Sequence, residues 1–128
     1  MIYLDASVAL AQLFAEDRQP PEDLWREPIA ASRLLQYEVW NRVHARRLEP
    51  IHGHLVRELL DGVAYVELTP LVLARALEPF PVPVRTLDAL HLATIEFLRG
   101  QGQTIELVSY DGRLLAAARA LGIPTRGL

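Results

Sequence analysis

The chain has 128 residues, of which 51% are hydrophobic, and these values predict one compact domain with a substantial apolar core. The formal charge of −3 argues against a broad basic surface for nucleic acid, and the absence of lysine excludes P-loop and Schiff-base chemistry. The absence of cysteine excludes disulfides and thiolate zinc sites. No apolar run approaches the length of about 20 residues that a membrane span needs. The starting residues Met1-Ile2-Tyr3-Leu4-Asp5 lack the basic region of a signal peptide, so we expect a cytoplasmic protein.

The predicted elements alternate between strands and helices. In chain order they are a strand at 1–5, helices at 6–15 and 21–27, a strand at 29–31, helices at 33–48 and 51–61, a strand at 63–68, a helix at 70–77, an extended proline-rich loop at 79–84, a helix at 86–99, a strand at 105–109, a helix at 112–121 and an edge strand at 123–125. This alternation predicts an α/β fold with a parallel sheet that helices cover on both faces.

Four carboxylates occupy positions that soluble proteins seldom give to single acids. Asp5 and Asp111 each close a predicted strand, whereas Glu38 and Asp88 lie in apolar-rich helices. Ligands of doubly wound sheets bind beyond the carboxyl ends of the strands, where the strand order reverses. Buried carboxylates need a compensating cation, and hard divalent ions prefer oxygen ligands. Convergence of the four acids would therefore predict a metal site.

Each acid also has an ordinary structural interpretation, which the sequence leaves open. Asp5 and Asp111 are suited to cap the helices that follow them. Asp88 has the first-turn position that the helix dipole favours. Glu38 and Arg42 have the i, i+4 spacing of a surface ion pair.

Several polar side chains near the acids are candidates for supporting roles. Ser7 and Ser109 are expected either to hydrogen-bond a ligand carboxylate or a metal-bound water, or simply to cap helices. His91 is expected either to contact a scissile phosphate or to be a half-buried, hydrogen-bonded group. His52 and His54 would point to different faces of a helix, so we predict a solvated turn there and no metal site.

Arginines near the acids are candidates for substrate binding. Arg42 and Arg46 follow Glu38 at i+4 and i+8, which predicts a row of guanidinium groups suited to phosphate. A solvated basic helix face explains the same pattern. Arg85 and Arg113 are further candidates, because each lies close in sequence to one of the other acids.

The order of these motifs resembles that of the PIN-domain nucleases, and among them the VapC-type toxins of toxin–antitoxin pairs. The matching segments are Tyr3-Leu4-Asp5-Ala6-Ser7, Glu38-Val39-Trp40-Asn41, Arg85-Thr86-Leu87-Asp88-Ala89-Leu90-His91-Leu92-Ala93 and Val108-Ser109-Tyr110-Asp111. The resemblance implies a Rossmann-like α/β/α sandwich, with a single PIN domain over residues 1–128. It also implies that the acidic quartet of Asp5, Glu38, Asp88 and Asp111 is catalytic and binds Mg²⁺ or Mn²⁺.

The same resemblance implies a metal-dependent endoribonuclease that acts as a toxin. Its expected partners are an RNA substrate, a second copy of the chain in a homodimer, and a cognate antitoxin whose tail occupies the acidic groove. Three alternatives remain open. They are a PIN nuclease of RNA processing or DNA, another metal-dependent phosphotransfer enzyme such as a phosphatase, and an interaction module whose acids only cap helices.

Overall fold

One parallel sheet lies at the centre of the computed structural model, which describes residues 1–128. Its strands are β1 (Ile2–Leu4), β2 (Ile29–Ser32), β3 (Val63–Val66) and β4 (Glu106–Val108). All neighbouring strands pair in parallel, in the order β3-β2-β1-β4. The strand order reverses between β1 and β4, and this is the position at which a doubly wound sheet opens a binding crevice. The predicted parallel α/β sheet is confirmed.

Six α-helices surround the sheet, and none combines the length and hydropathy that crossing a membrane requires. They are α1 (Ala6–Phe14), α2 (Leu34–Ala45), α3 (Glu49–Asp61), α4 (Pro70–Ala76), α5 (Thr86–Gly100) and α6 (Gly112–Ala120), with a short 3-10 helix at Glu22–Arg26.

The sheet separates two apolar cores. Successive side chains of a strand point to opposite faces, so Ile2 and Leu4 pack with α1, α2 and α3, whereas Tyr3 packs with α5 and α6. All three β1 side chains are fully buried. The central strand is therefore held from both sides, and its carboxyl end is a rigid platform for Asp5. This layering confirms the α/β/α sandwich.

The junction between α2 and α3 differs from the prediction. The helix expected over 33–48 ends at Ala45, because Arg47 has a left-handed backbone with φ 55. The next helix begins at Glu49 and includes Pro50 in its first turn, where the missing N–H of proline has no intrahelical partner to lose. Arg46 therefore lies in the turn and leaves the helical row predicted for it.

The predicted solvated turn at His52-Gly53-His54 is wrong, because these residues lie within α3. His54 is exposed, whereas His52 is half-buried and packs edge-on against Phe14, with ring centroids 5.7 Å apart. The two histidines do face different sides of the helix, as their spacing predicts. The predicted edge strand at 123–125 is reduced to one parallel bridge between Thr125 and Leu107.

Candidate active site

Two of the four acids stand at the carboxyl ends of the neighbouring strands β1 and β4. The Asp5 N–H donates to the Val108 carbonyl (3.1 Å), which joins the two strand ends. Asp5 also caps α1 by accepting from the Ser7 N–H, and Asp111 caps α6 by accepting from the Arg113 N–H (2.9 Å). The capping interpretation is thus correct, and it does not compete with a functional one, because capping aims both carboxylates at the same edge of the sheet.

All four predicted acids line one pocket at this edge. The pocket has a volume of about 640 Å³ and lies between β1, β4, α1, α2 and the start of α5. Glu38 projects from α2 and Asp88 from the first turn of α5. The lining residues are Asp5, Ala6, Ser7, Leu10, Glu38, Asn41, Arg42, Ala45, Arg85, Thr86, Leu87, Asp88, His91 and Asp111.

Two serine hydroxyls hold the Asp5 carboxylate. Ser7 Oγ donates to Asp5 Oδ2 at 2.5 Å, and Ser109 Oγ donates to the same oxygen at 2.8 Å. The hydroxyls in turn accept from the backbone N–H groups of Tyr110 (to Ser7, 2.9 Å) and Asp111 (to Ser109, 2.9 Å). Because every one of these bonds to Asp5 uses Oδ2, the carboxylate is fixed in orientation while Oδ1 remains available to a ligand.

A buried hydrogen-bond chain holds Glu38. Glu38 Oε1 lies 2.7 Å from His91 Nε2, and His91 Nδ1 lies 2.7 Å from the Tyr3 hydroxyl. That hydroxyl also accepts from the Ser32 N–H at 3.1 Å. The Glu38 carboxylate can only accept, so Nε2 carries a proton, and in the neutral imidazole Nδ1 then accepts the proton of the Tyr3 hydroxyl. The alternative pairing of Glu38 with Arg42 is wrong, because His91 takes that place.

The electrostatics of this chain follow from burial and from the acids around it. Burial lowers the pKa of His91, but the hydrogen bond and the charge of Glu38, with smaller contributions from Asp5 and Asp88, outweigh burial and leave the pKa raised. Burial raises the pKa of the Tyr3 phenol far above its usual value, so this hydroxyl stays protonated. Sequence reasoning missed Tyr3; its only signal was a polar ring inside a short apolar strand.

One arginine bridges the other two acids. Arg85 Nε donates to Asp88 Oδ2 at 3.2 Å, and Arg85 Nη2 donates to Asp111 Oδ2 at 3.0 Å. The hydrogen bond and charge of Asp88, followed by the charge of Asp111, raise the pKa of Arg85. The arginine side chain is 60% exposed, so solvent reaches both of its ion pairs.

The remaining candidate arginines have separate positions. Arg42 lines the acidic pocket, as predicted. Arg46 lies outside it, with its guanidinium 4.8 Å from the centroid of the Phe14 ring. Arg113 lines a neighbouring depression with Arg85, and its backbone N–H donates to Asp111. Asn41 and Thr86 also line the acidic pocket and were not among the predicted site residues.

The acidic pocket has the chemistry of a hard-metal site without a preformed ligand cage. Its donors are carboxylate oxygens from β1, α2, α5 and the end of β4, the type that Mg²⁺ and Mn²⁺ prefer. No three acidic or histidine side chains stand in a ligating arrangement, and Arg85 supplies a positive charge to two of the acids instead. The donor set therefore fits a divalent ion that displaces this guanidinium.

Comparison with known proteins agrees with this geometry. The PIN domain family matches residues 2–120. Ribonuclease VapC47 of Mycobacterium tuberculosis (strain CDC 1551 / Oshkosh) is 33% identical to this chain over an alignment of 132 residues. The alignment covers 98% of this chain and 95% of the relative.

Two solved structures share the fold. One, titled as a toxin-antitoxin complex from Klebsiella pneumoniae, has a TM-score of 0.71 at 17% identity and covers 99% of this chain and 97% of that chain. PAE2754 from Pyrobaculum aerophilum has a TM-score of 0.60 at 24% identity, covering 97% of this chain and 82% of that chain. The family match and the VapC relative together show that the chain belongs to the PIN domain family, in its VapC branch.

Proposed function

We propose that the protein is a metal-dependent endoribonuclease of the VapC type, which acts in the cytoplasm as the toxin of a toxin–antitoxin pair. The observation that carries this proposal is the convergence of four carboxylates on one pocket where the strand order reverses. The relative named Ribonuclease VapC47 and the fold shared with a chain of a toxin-antitoxin complex support it. The whole chain of 128 residues then acts as a single PIN domain.

The acids divide the work of holding Mg²⁺ or Mn²⁺. Asp5 and Asp111 would hold the ion directly, Asp88 would hold it directly or through water, and Glu38 would orient a water of the ion or a second ion. When bound, the ion lowers the pKa of a water molecule and offsets charge that develops on the phosphate oxygens. Cleavage by in-line attack leaves a 5′-phosphate and a 3′-hydroxyl.

The other side chains of the site act through position. Ser7 and Ser109 hold Asp5 so that Oδ1 faces the pocket. His91 fixes the Glu38 carboxylate through a 2.7 Å hydrogen bond. Arg85, once released from the acids, binds the scissile phosphate, because its planar guanidinium presents two parallel N–H groups to phosphate oxygens.

Three partners follow from this function: RNA, a cognate antitoxin and a second copy of the chain. The homodimer is supported by an apolar depression on α4, the following loop and the start of α5, which Leu73, Leu77 and Phe80 line, and Leu77 there is 88% exposed. Large contiguous apolar surface is typical of association sites. We expect Leu77→Gln to shift the protein toward monomer in light scattering. The control is Ile51→Gln, at an exposed position on α3; equal masses for wild type and Leu77→Gln would exclude this surface.

The function is tested by incubating purified protein with an RNA of mixed structure and either Mg²⁺ or Mn²⁺. EDTA and the Asp5→Asn variant are the parallel controls. Metal-dependent cutting that is lost in both controls supports the proposal. Asn preserves the shape of Asp5 and removes a negative charge from an acidic pocket, so the variant should fold at least as stably as wild type.

The same preparation separates the alternatives. A phosphatase would release phosphate from small esters and leave RNA intact, and a nuclease outside toxin–antitoxin systems would cut without arresting growth on expression. An interaction module would show neither activity nor metal-dependent stabilisation. Wild-type rates in Asp5→Asn under the same metal would refute the assignment of this acid.

A further inference from the structure

We infer that Arg18, Arg42 and Arg46 form a second anion site, which binds a phosphate of the RNA strand next to the one that is cleaved. This inference rests on the proposed function and extends it by giving the substrate a path across the surface. The path leaves the acidic pocket between α1 and the end of α2. Nothing in the composition indicates it, because the net charge of the chain is −3.

The second site is a pocket of about 440 Å³ that adjoins the acidic one. Ser7, Leu10 and Arg42 line both pockets, so an extended strand passes from one to the other over a shared wall. The lining residues of the second pocket are Ser7, Leu10, Ala11, Glu16, Asp17, Arg18, Arg42, Arg46 and Tyr110.

The three arginines are available to an anion. Five other arginines of the chain form ion pairs with acids, whereas none of these three does. Glu16 and Asp17 line the same pocket without pairing with them. Three guanidinium groups face two acids here, whereas four acids face two guanidinium groups in the neighbouring pocket. A phosphate that binds in the second pocket would give these arginines the anionic partner that they lack.

Aromatic rings hold two of the guanidinium groups in place. Arg18 lies 5.4 Å from the centroid of the Tyr110 ring and donates to the Tyr110 carbonyl at 3.4 Å. Arg46 lies over the ring of Phe14 at 4.8 Å. A guanidinium that packs through its face keeps N–H groups on its edge for a phosphate, and less conformational freedom is lost on binding.

This arrangement resolves an electrostatic difficulty of the acidic pocket. Four carboxylates repel a polyanion, so the substrate needs cations outside the cleavage point that hold the flanking backbone. Arg18 reaches the second pocket from the loop after α1, and Arg46 reaches it from the end of α2. The left-handed turn at Arg47 follows the end of α2, and the early end of this helix places Arg46 at the second pocket.

The test compares the double variant Arg18→Gln/Arg46→Gln with Arg99→Gln. Arg99 is an exposed arginine without an ion pair, eleven residues after Asp88 on α5 and thus about 16 Å away along the helix axis. Binding of a fluorescein-labelled single-stranded RNA of mixed sequence is measured by anisotropy in EDTA, over a series of salt concentrations. Cleavage kinetics are measured separately with Mn²⁺, on the RNA that wild type cuts.

The double variant should bind RNA roughly tenfold more weakly, and the slope of log K against log salt should shrink by roughly 0.7 to 1.4, since each phosphate contact to a single strand contributes about 0.7. KM should rise while kcat stays within about twofold, because neither arginine touches the reacting phosphate. The single variant Arg18→Gln, in an exposed loop, should show part of the same change if the double variant folds poorly.

A salt slope and a KM equal to those of Arg99→Gln would overturn the inference while leaving the nuclease intact. If wild type itself neither binds nor cuts any RNA tested, the proposed function fails together with it. A fall in kcat at unchanged KM would also overturn the inference, because it would place these arginines at the chemical step.

Discussion

Arg85 and Asp111 lie 26 residues apart in the chain, and Arg85 Nη2 donates to Asp111 Oδ2 at 3.0 Å across the mouth of the acidic pocket. The same guanidinium donates to Asp88. Two of the four acids thus share one positive charge that belongs to the chain itself. If the proposed metal ion binds Asp88 and Asp111, it must compete with this guanidinium for their carboxylates.

Replacing Arg85 should therefore strengthen metal binding. We expect Arg85→Gln to bind Mn²⁺ roughly two- to tenfold more tightly than wild type, since exposed ion pairs are individually weak. Titration calorimetry on the metal-free protein measures this directly, with Arg99→Gln as the control for loss of a positive charge. Unchanged or weaker Mn²⁺ binding would show that Arg85 does not compete. RNA cleavage by Arg85→Gln should nevertheless fall, because the proposed phosphate contact is lost.

Removing the Ser109 hydroxyl should weaken both folding and catalysis. Ser109 is 4% exposed and joins Asp5 Oδ2 to the Asp111 N–H. Ser109→Ala removes a partner from this partly buried N–H and from the buried Asp5 carboxylate, at a cost of about 1 to 3 kcal/mol in unfolding free energy. Urea denaturation measures this cost, and Ser109→Thr, which keeps a hydroxyl, is the matched control. Wild-type stability and cleavage in Ser109→Ala would contradict the role assigned to the hydroxyl.

Tyr3→Phe should destabilise the protein, because it keeps the buried ring and removes only the hydroxyl. The Tyr3 oxygen is the partner of both the Ser32 N–H and His91 Nδ1, and the ring is fully buried. Losing it leaves two buried polar groups unpaired, which costs about 1 to 3 kcal/mol. The matched control is Tyr37→Phe, at a ring that is 64% exposed, and it should be neutral. Equal unfolding midpoints for both variants would argue against the chain of bonds through His91.

The ion pair between Glu27 and Arg126 should make stability depend on pH in the acid range. Arg126 donates to Glu27 and holds the pKa of that carboxyl below its usual 4.5. A lowered folded pKa means that the stabilisation is complete above the unfolded pKa and is lost as pH falls through the folded one. Urea midpoints of wild type and Glu27→Gln should therefore differ at pH 7 and converge toward pH 3. A constant difference across this range would contradict the assignment.

Local sequence was sufficient for much of the architecture. The alternation of apolar strands with helices predicted the parallel sheet. Helices that connect parallel strands cover both faces of the sheet, so the strands are continuous apolar runs. Gly122, with φ 71, ends α6 where a left-handed residue is needed, as its position predicts. The helix boundary near Pro50 was not predicted from local sequence. A proline can either end one helix or stand in the first turn of the next. The packing of α3 against α1 and α2 decides which of the two occurs.

Identity and spacing marked Asp5, Glu38, Asp88 and Asp111 as candidates, since each acid sits in an apolar context that only a cation or a cap explains. Their convergence depended on the adjacency of β1 and β4, strands about a hundred residues apart, and no local rule specifies it. Pairing of long polar side chains was decided in the same way. His91 displaced Arg42 from Glu38, Arg85 bridged two acids, and Arg18 joined Arg46 around a pocket. Such partners depend on which helices and strands the apolar cores pack against each other. The distances between residues that are far apart in the sequence follow from this packing, and local sequence rules do not predict them.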